Sequence, residues 1–176
     1  SLLKLNSFIE EMNNFFRNEK LALQREKVSI PALINEEIQD LKNLYHADKV
    51  RIEVKVDEVS DFFSDLMRVK TVVTNILTNA IKYADPGKTD PFIKVVAKVG
   101  AEFCEVAISD NGIGIDTEHL EKIFDLFHRA TSVSNGTGIG LFIVKDTIER
   151  LHGTIEVQSE IGVGTTFRIH IPNQLY

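Results

Sequence analysis

The amino-acid sequence predicts an α+β fold, a two-layer sandwich in which helices cover one face of a mixed sheet of about five strands, preceded by an N-terminal helix. Apolar residues switch along the chain between helical spacing, every three or four positions, and the strict alternation of half-buried strands. Glycine-containing turns join four of the alternating runs into two hairpins, whose strands must run antiparallel. With 176 residues and 43% hydrophobic content, the chain has enough apolar side chain for one core.

Leu2, Leu5, Ile9, Met12 and Phe16 recur at alternating spacings of three and four, the seam of a helix that packs on another helix, and Phe8 and Phe15 widen it. The seam runs for little more than two heptads and starts at residue 2, as in a helix cut from a longer one. After Pro31, a favourable first-turn residue, Ile34, Ile38, Leu41 and Leu44 or Tyr45 mark a second helix. Ile52, Val54 and Val56 alternate with Arg51, Glu53 and Lys55, a strand with one wet face. Over residues 65–83, Leu66, Val69, Val73, Ile76, Leu77 and Ala80 return to helical spacing until Asp85-Pro86-Gly87 stops the helix.

Alternating runs at 92–99 and 102–109 turn at Gly100-Ala101. Strand patterning lapses between residues 111 and 140, where Gly112, Gly114, Gly136, Gly138 and Gly140 gather. Leu141, Val144, Ile148 and Leu151 then make a last helix closed by Gly153, and runs at 154–159 and 165–171 make a last hairpin through Gly162-Val163-Gly164.

A formal net charge of −6 and a pI near 5.4 argue against nucleic acid as a partner, because a broad phosphate-binding surface needs clustered Lys and Arg. The single cysteine, Cys104, lies in an apolar alternating run and has no partner for an internal disulfide, which fits a small buried thiol in a reducing compartment. No apolar run approaches the ~18 residues of a membrane span and no leader pattern opens the chain. The expectation is a cytoplasmic piece without direct membrane contact.

On the helix over residues 65–83, Asn75, Asn79 and Lys82 stand at i, i+4 and i+7 and form one polar stripe beside the apolar face. Such a stripe is ordinarily a solvated helix face. The alternative is that a carboxamide oxygen holds Mg2+ while the lysine meets phosphate. Asp110-Asn111-Gly112-Ile113-Gly114 begins where a strand stops, so a fixed carboxylate can accept a bond from an exocyclic amine while glycines admit a flat ring. Gly136-Thr137-Gly138-Ile139-Gly140-Leu141 opens directly into the last helix, whose free N–H groups and positive dipole end suit phosphate. Its glycine spacing is not that of a dinucleotide fingerprint, and no G-K-[ST] exists for a Walker loop.

An Asn-bearing helix, an Asp-x-Gly-x-Gly turn and a Gly-x-Gly-x-Gly loop before a helix, in that order, resemble the GHKL superfamily of ATP-binding domains, with its Bergerat fold. The resemblance runs from about Ser29 to Pro172. Residues 75–83 are similar to the N box of histidine kinases, Asp110 to Gly114 to the G1 box, Phe124-Asp125-Leu126-Phe127 to the F box, and Gly136 to Leu141 to the G2 box.

By position, the resemblance implies a site for ATP and Mg2+. Asn79 ligates the metal, Lys82 contacts phosphate, Tyr83 lies against the nucleotide and Asp110 bonds the adenine amine. Thr165 helps to anchor Asp110, and Asn75, Gly112, Gly114, Ile115, Phe124, Phe127, Gly136, Thr137, Gly138, Ile139, Gly140 and Leu141 complete the nucleotide-binding set. Asn79 and Lys82 carry the catalysis. Residues 115–135 form the ATP lid, held by Phe124 and Phe127 when it closes.

Two departures from the family pattern stand out, the first of them neutral. Leu126 replaces a proline common in the F box. More telling, the family's gyrases, heat-shock chaperones and serine-kinase anti-sigma factors carry a glutamate four residues before the metal-binding asparagine, and here that residue is Asn75. The resemblance therefore implies phosphoryl transfer to an outside nucleophile, as in the catalytic domain of a sensor histidine kinase. His46, His119, His128, His152 and His170 all lack the neighbours of a phosphoacceptor box and are ordinary histidines. Residues 1–26 are then the end of a dimerisation and phosphotransfer domain plus linker, and 27–176 the ATP-binding catalytic domain. The implied partners are a histidine-bearing dimerisation domain of the same parent, a homodimeric and membrane-bound sensor, and a downstream response-regulator receiver domain. A regulatory nucleotide-binding module without kinase activity is opposed by the intact pocket positions, and a stand-alone ATPase by Asn75.

Overall fold

In the computed structural model, which describes residues 2–45, 47–131 and 136–175, the alternating runs become one five-stranded sheet and the helically spaced runs a layer over one of its faces. In chain order the elements are α1 (Leu2–Lys20), β1 (Glu26–Lys27), α2 (Ile30–Tyr45), β2 (Arg51–Glu58), β3 (Phe63–Ser64), α3 (Leu66–Lys82), β4 (Phe92–Val99), β5 (Phe103–Asp110), α4 (Thr117–Leu120), α5 (Gly140–Arg150), β6 (Thr154–Glu160) and β7 (Gly164–Pro172). The sheet order is β2-β4-β5-β7-β6, with β2 parallel to β4 and every other pair antiparallel. A parallel pair needs a crossover, and α3 supplies it.

The core follows from the two periodicities. Val69, Val72, Val73, Ile76, Leu77 and Ala80 of α3 share one buried cluster with Ile93, Val95 and Ala97 of β4 and with Val106 and Ile108 of β5. Lys94 and Lys98 point to the other, open face, where Glu105 pairs with Arg168 at 3.1 Å and with His170 at 2.6 Å. Cys104 is buried, and burial pushes its thiol up to about 12. Asp65 caps α3 by accepting the Arg68 N–H at 3.0 Å. Burial works to raise its carboxyl, but the Gln24 and Arg68 N–H groups and the Arg68 guanidinium hold it below the usual carboxylate range. The same pair anchors the chain after α1, since Arg68 also donates to the Leu21 carbonyl at 2.6 Å.

Two features lay below the reach of periodicity. The two-residue strands β1 and β3 form a small antiparallel pair, and α4 spans four residues. A period of 2 or 3.6 needs a longer window to register. The seam expected on α1 is helical but faces solvent: Leu2, Leu5, Ile9 and Phe16 are exposed. The flanking Phe8 and Phe15 meet the domain instead, on Phe127 and Phe142, with ring centroids 6.0 and 5.6 Å apart. Among the described residues no helix is long and apolar enough to cross a membrane.

Candidate functional site

Asp110 ends β5, and the register sets it opposite Thr165 of β7. Its carboxylate accepts the Gly112 N–H at 2.8 Å and the Thr165 N–H. Burial raises the carboxyl to about 6, while these two donors and the Lys88 ammonium pull it back down. The Thr165 hydroxyl lies 2.7 Å from that of Ser159, and Ser159 accepts the Ile115 N–H at 2.8 Å. Thus one hydroxyl pair ties the strand that anchors Asp110 to the first residue of the expected lid. Two glycines make the approach possible. A Cβ on Gly112 would lie 2.3 Å from the Tyr83 carbonyl oxygen, and one on Gly164, whose φ is +145°, would lie 2.0 Å from that of Asp110.

The polar stripe of α3 forms the next wall. Asn75 donates from Nδ2 to the Thr71 carbonyl at 2.8 Å, and its Oδ1 would lie 2.9 Å from a Cβ on Gly140. Asn79, one turn later, makes no side-chain hydrogen bond among the described residues. The Lys82 ammonium lies 5.6 Å from the centroid of the Tyr45 ring, within cation–π range. Opposite, the loop 136–140 leads into α5, whose first residues have no side-chain cap at Ile139. The Thr137 hydroxyl donates to Glu11 of α1 at 2.8 Å, and Phe127 N–H donates to the Gly138 carbonyl at 2.9 Å.

These walls enclose a cavity of about 320 Å³. Of the residues expected at the site, Asn75, Asn79, Lys82, Tyr83, Asp110, Gly114, Ile115, Gly136, Thr137, Gly138, Gly140, Leu141 and Thr165 line it. Gly112, Phe124, Phe127 and Ile139 do not line it. Ile139 is wholly buried, Phe124 meets Phe167 edge-on at 6.4 Å, and Phe127 stacks on Phe8. The cavity also brings in Glu11, Tyr45, Arg129 and Thr131, which were not among the expected site residues, and His128, expected to be an ordinary histidine. Arg129 and Thr131 follow the F box by only a few residues, a signal open to sequence reasoning. Tyr45 and Glu11 arrive from helices far away in the chain and gave none. Residues 132–135 of the expected lid, and His46, lie outside the described residues.

A family model described as "Histidine kinase-, DNA gyrase B-, and HSP90-like ATPase" matches residues 64–175. The Sensor protein SrrB of Staphylococcus aureus is 33% identical over 177 aligned residues, which take in 96% of this chain and 30% of that protein. The chain thus spans less than a third of the length of the curated relatives it matches. Among solved structures, the mycobacterial sensor histidine kinase MprB superposes with a TM-score of 0.72 at 24% identity, covering 85% of this chain and 98% of that one. Full-length ShkA in complex with AMPPNP gives 0.81 at 21% identity, covering 96% and 36%. At such identities the likeness is one of fold.

Proposed function

The chain belongs to the histidine kinase-, DNA gyrase B- and HSP90-like ATPase family, and from that premise we propose that it binds Mg-ATP in this cavity and passes the γ-phosphate to a histidine on another domain of its parent. The observation that carries the reading is one cavity lined both by a half-buried, doubly donated carboxylate at Asp110 and, opposite, by a glycine loop that opens an uncapped helix. The first suits an amine on a flat ring and the second suits phosphates. The AMPPNP held by ShkA supports the same guest.

Asn79 fits a hard cation, because it lines the cavity and its carboxamide has no competing bond among the described residues. Bound there with nucleotide oxygens and water, Mg2+ would supply neutralising charge. The Lys82 ammonium and the N–H groups at the start of α5 stabilise the charge that develops on the transferred group. Tyr83 and Ile115 lie along the nucleotide, and Thr165 orients Asp110 through its N–H. The carboxamide of Asn75 takes no proton, so the nucleophile comes from elsewhere.

That nucleophile is a histidine on a dimerisation and phosphotransfer domain, of which residues 1–26 are the end, in a homodimeric sensor with a cytoplasmic kinase portion and a downstream receiver domain. SrrB, a sensor protein much longer than this chain, supports such a parent. With radiolabelled ATP, label is expected on a supplied histidine domain from the parent, and none that is acid-labile on this chain alone. Label on this chain would mean that one of its own histidines is the acceptor, with His128 on the cavity wall the first to examine.

The segment 115–131 acts as part of the lid. Ile123 is its one buried side chain among the described residues, whereas α3 buries seven. Its amides are expected to exchange faster than those of α3 without nucleotide and to slow when ATP is added. Equal protection of the two segments in the empty protein would rule out a lid here.

A further inference from the structure

We propose that Lys88 is a positioning residue for base recognition: its ammonium fastens the turn that carries Asp110 to the β6–β7 turn and sets a positive charge beside the base-reading carboxylate. The inference rests on the reading of Asp110 given above.

Lys88 stands in the loop between α3 and β4, away from the cavity wall. Its Nζ donates to the carbonyls of Asn111 at 2.6 Å, Val163 at 3.1 Å and Gly112 at 3.5 Å. An ammonium has three protons and no acceptor, so three carbonyls satisfy it fully. Two of them belong to the turn directly after Asp110, and the third to the hairpin turn before Gly164. The turn's other flank is held separately. Asn111 accepts the Phe92 N–H at 2.7 Å on Oδ1 and donates to the Asp90 carbonyl at 2.9 Å from Nδ2. Lys88 is thus the side-chain link on the β7 side, beside the backbone bond from the Gly162 N–H to the Ile113 carbonyl at 2.9 Å.

A hydrogen-bonded cross-link alone does not account for a cation at this point. The carbonyls of Asn111 and Gly112 place negative ends of dipoles next to the Asp110 carboxylate, and the local N–H groups are already committed. Gly112 N–H goes to Asp110 itself and Gly162 N–H to the Ile113 carbonyl. Burial favours the neutral carboxyl, and Lys88 is the charged group that opposes it, alongside the Gly112 and Thr165 N–H dipoles. The ionised form matters chemically. A carboxylate accepts from the exocyclic amine of adenine with charge assistance, and it repels the carbonyl that guanine presents at the same place. Lys88 acts on this choice through Asp110 without touching the base.

The test is titration calorimetry with ATP at pH 8 and pH 6, on the parent chain, Lys88→Gln, Lys88→Met and Lys88→Arg. Thermal melts at both pH values check that each variant is folded. Glutamine keeps a donor for the carbonyls and loses the charge, whereas arginine keeps both. The neutral variants are expected to lose affinity about threefold or more in excess at pH 6 over pH 8, with Lys88→Arg restoring the parent's profile. In an Asp110→Asn background the excess should vanish, because nothing is left to ionise. A loss of equal size at both pH values, or none, would reduce Lys88 to a turn cross-link and overturn the inference. A parent chain that does not bind ATP at pH 8 would instead remove the site reading, and this inference with it.

Discussion

Given Mg-ATP and no acceptor, the chain is expected to hydrolyse nucleotide about 10²–10⁴-fold more slowly than a relative with a carboxylate at the position of Asn75, the usual worth of a general base. Asn75 is neutral, and its amide is already bonded to the Thr71 carbonyl one turn back. It neither takes a proton from water nor swings freely toward one. Glu11, a carboxylate also on the cavity wall, accepts the Thr137 hydroxyl and comes from α1. Asn75→Glu would put a carboxylate on the same face of α3 as Asn79 and should raise phosphate release. A phosphate-release assay on both proteins decides the matter. Brisk hydrolysis by the unmodified chain would place it among the family's stand-alone ATPases.

Asp110→Ala is expected to weaken ATP binding by roughly ten- to a hundredfold, the loss of a charge-assisted hydrogen bond of about 1.5–3 kcal/mol. Its pH dependence has a definite sign. The carboxyl sits near 6 in the empty protein, against 3.8 when free, so the folded chain holds this proton more tightly than the unfolded one. Its contribution to stability is present below about pH 4 and is lost as pH rises through 6. Bound nucleotide is expected to reverse the preference, because an amine on Asp110 would select the ionised form. Affinity should therefore fall as pH drops below 6, and binding near pH 6 should release a proton. Calorimetry in buffers of different ionisation enthalpy measures that release. Unchanged affinity in a folded Asp110→Ala would take Asp110 out of the site.

The parts of the molecule legible in its sequence are those whose reason is local. Asp110, Gly112 and Gly164 announce themselves because a strand end and two turns demand those residue types, and α3 shows its buried and polar faces by spacing alone. Pairing is another matter. Nothing in residues 51–58 says that they will lie parallel to 92–99, since that follows from α3 passing over the sheet. Tyr45 reads as one more apolar residue closing α2, and only the packing of α2 on α3 brings its ring to Lys82. Lys88 looks like a charge in a loop until its three carbonyls are seen, two from the nearby turn and one from a hairpin near the far end of the chain. On α1 spacing marks the stripe but not what covers it. The stripe that reads as a packing seam is exposed, and its flanking phenylalanines make the contacts.

The pairing of Asp110 with Thr165 also has a consequence for how the chain acquires its pocket. Strand β5 precedes β7 in the chain, and the N–H that steadies its last carboxylate, and the turn that Lys88 grips, arrive only with the β6–β7 hairpin, after the expected lid and α5. This is a long-range closure, slow in entropic terms and absent from any partly synthesised chain. A half-built domain therefore has the Asp110 turn without the means to hold it, and nucleotide has no purchase on the intermediate. Once β7 is in place the ligand favours the finished topology over every precursor, by about 2.7 kcal/mol when free nucleotide stands at a hundred times its dissociation constant.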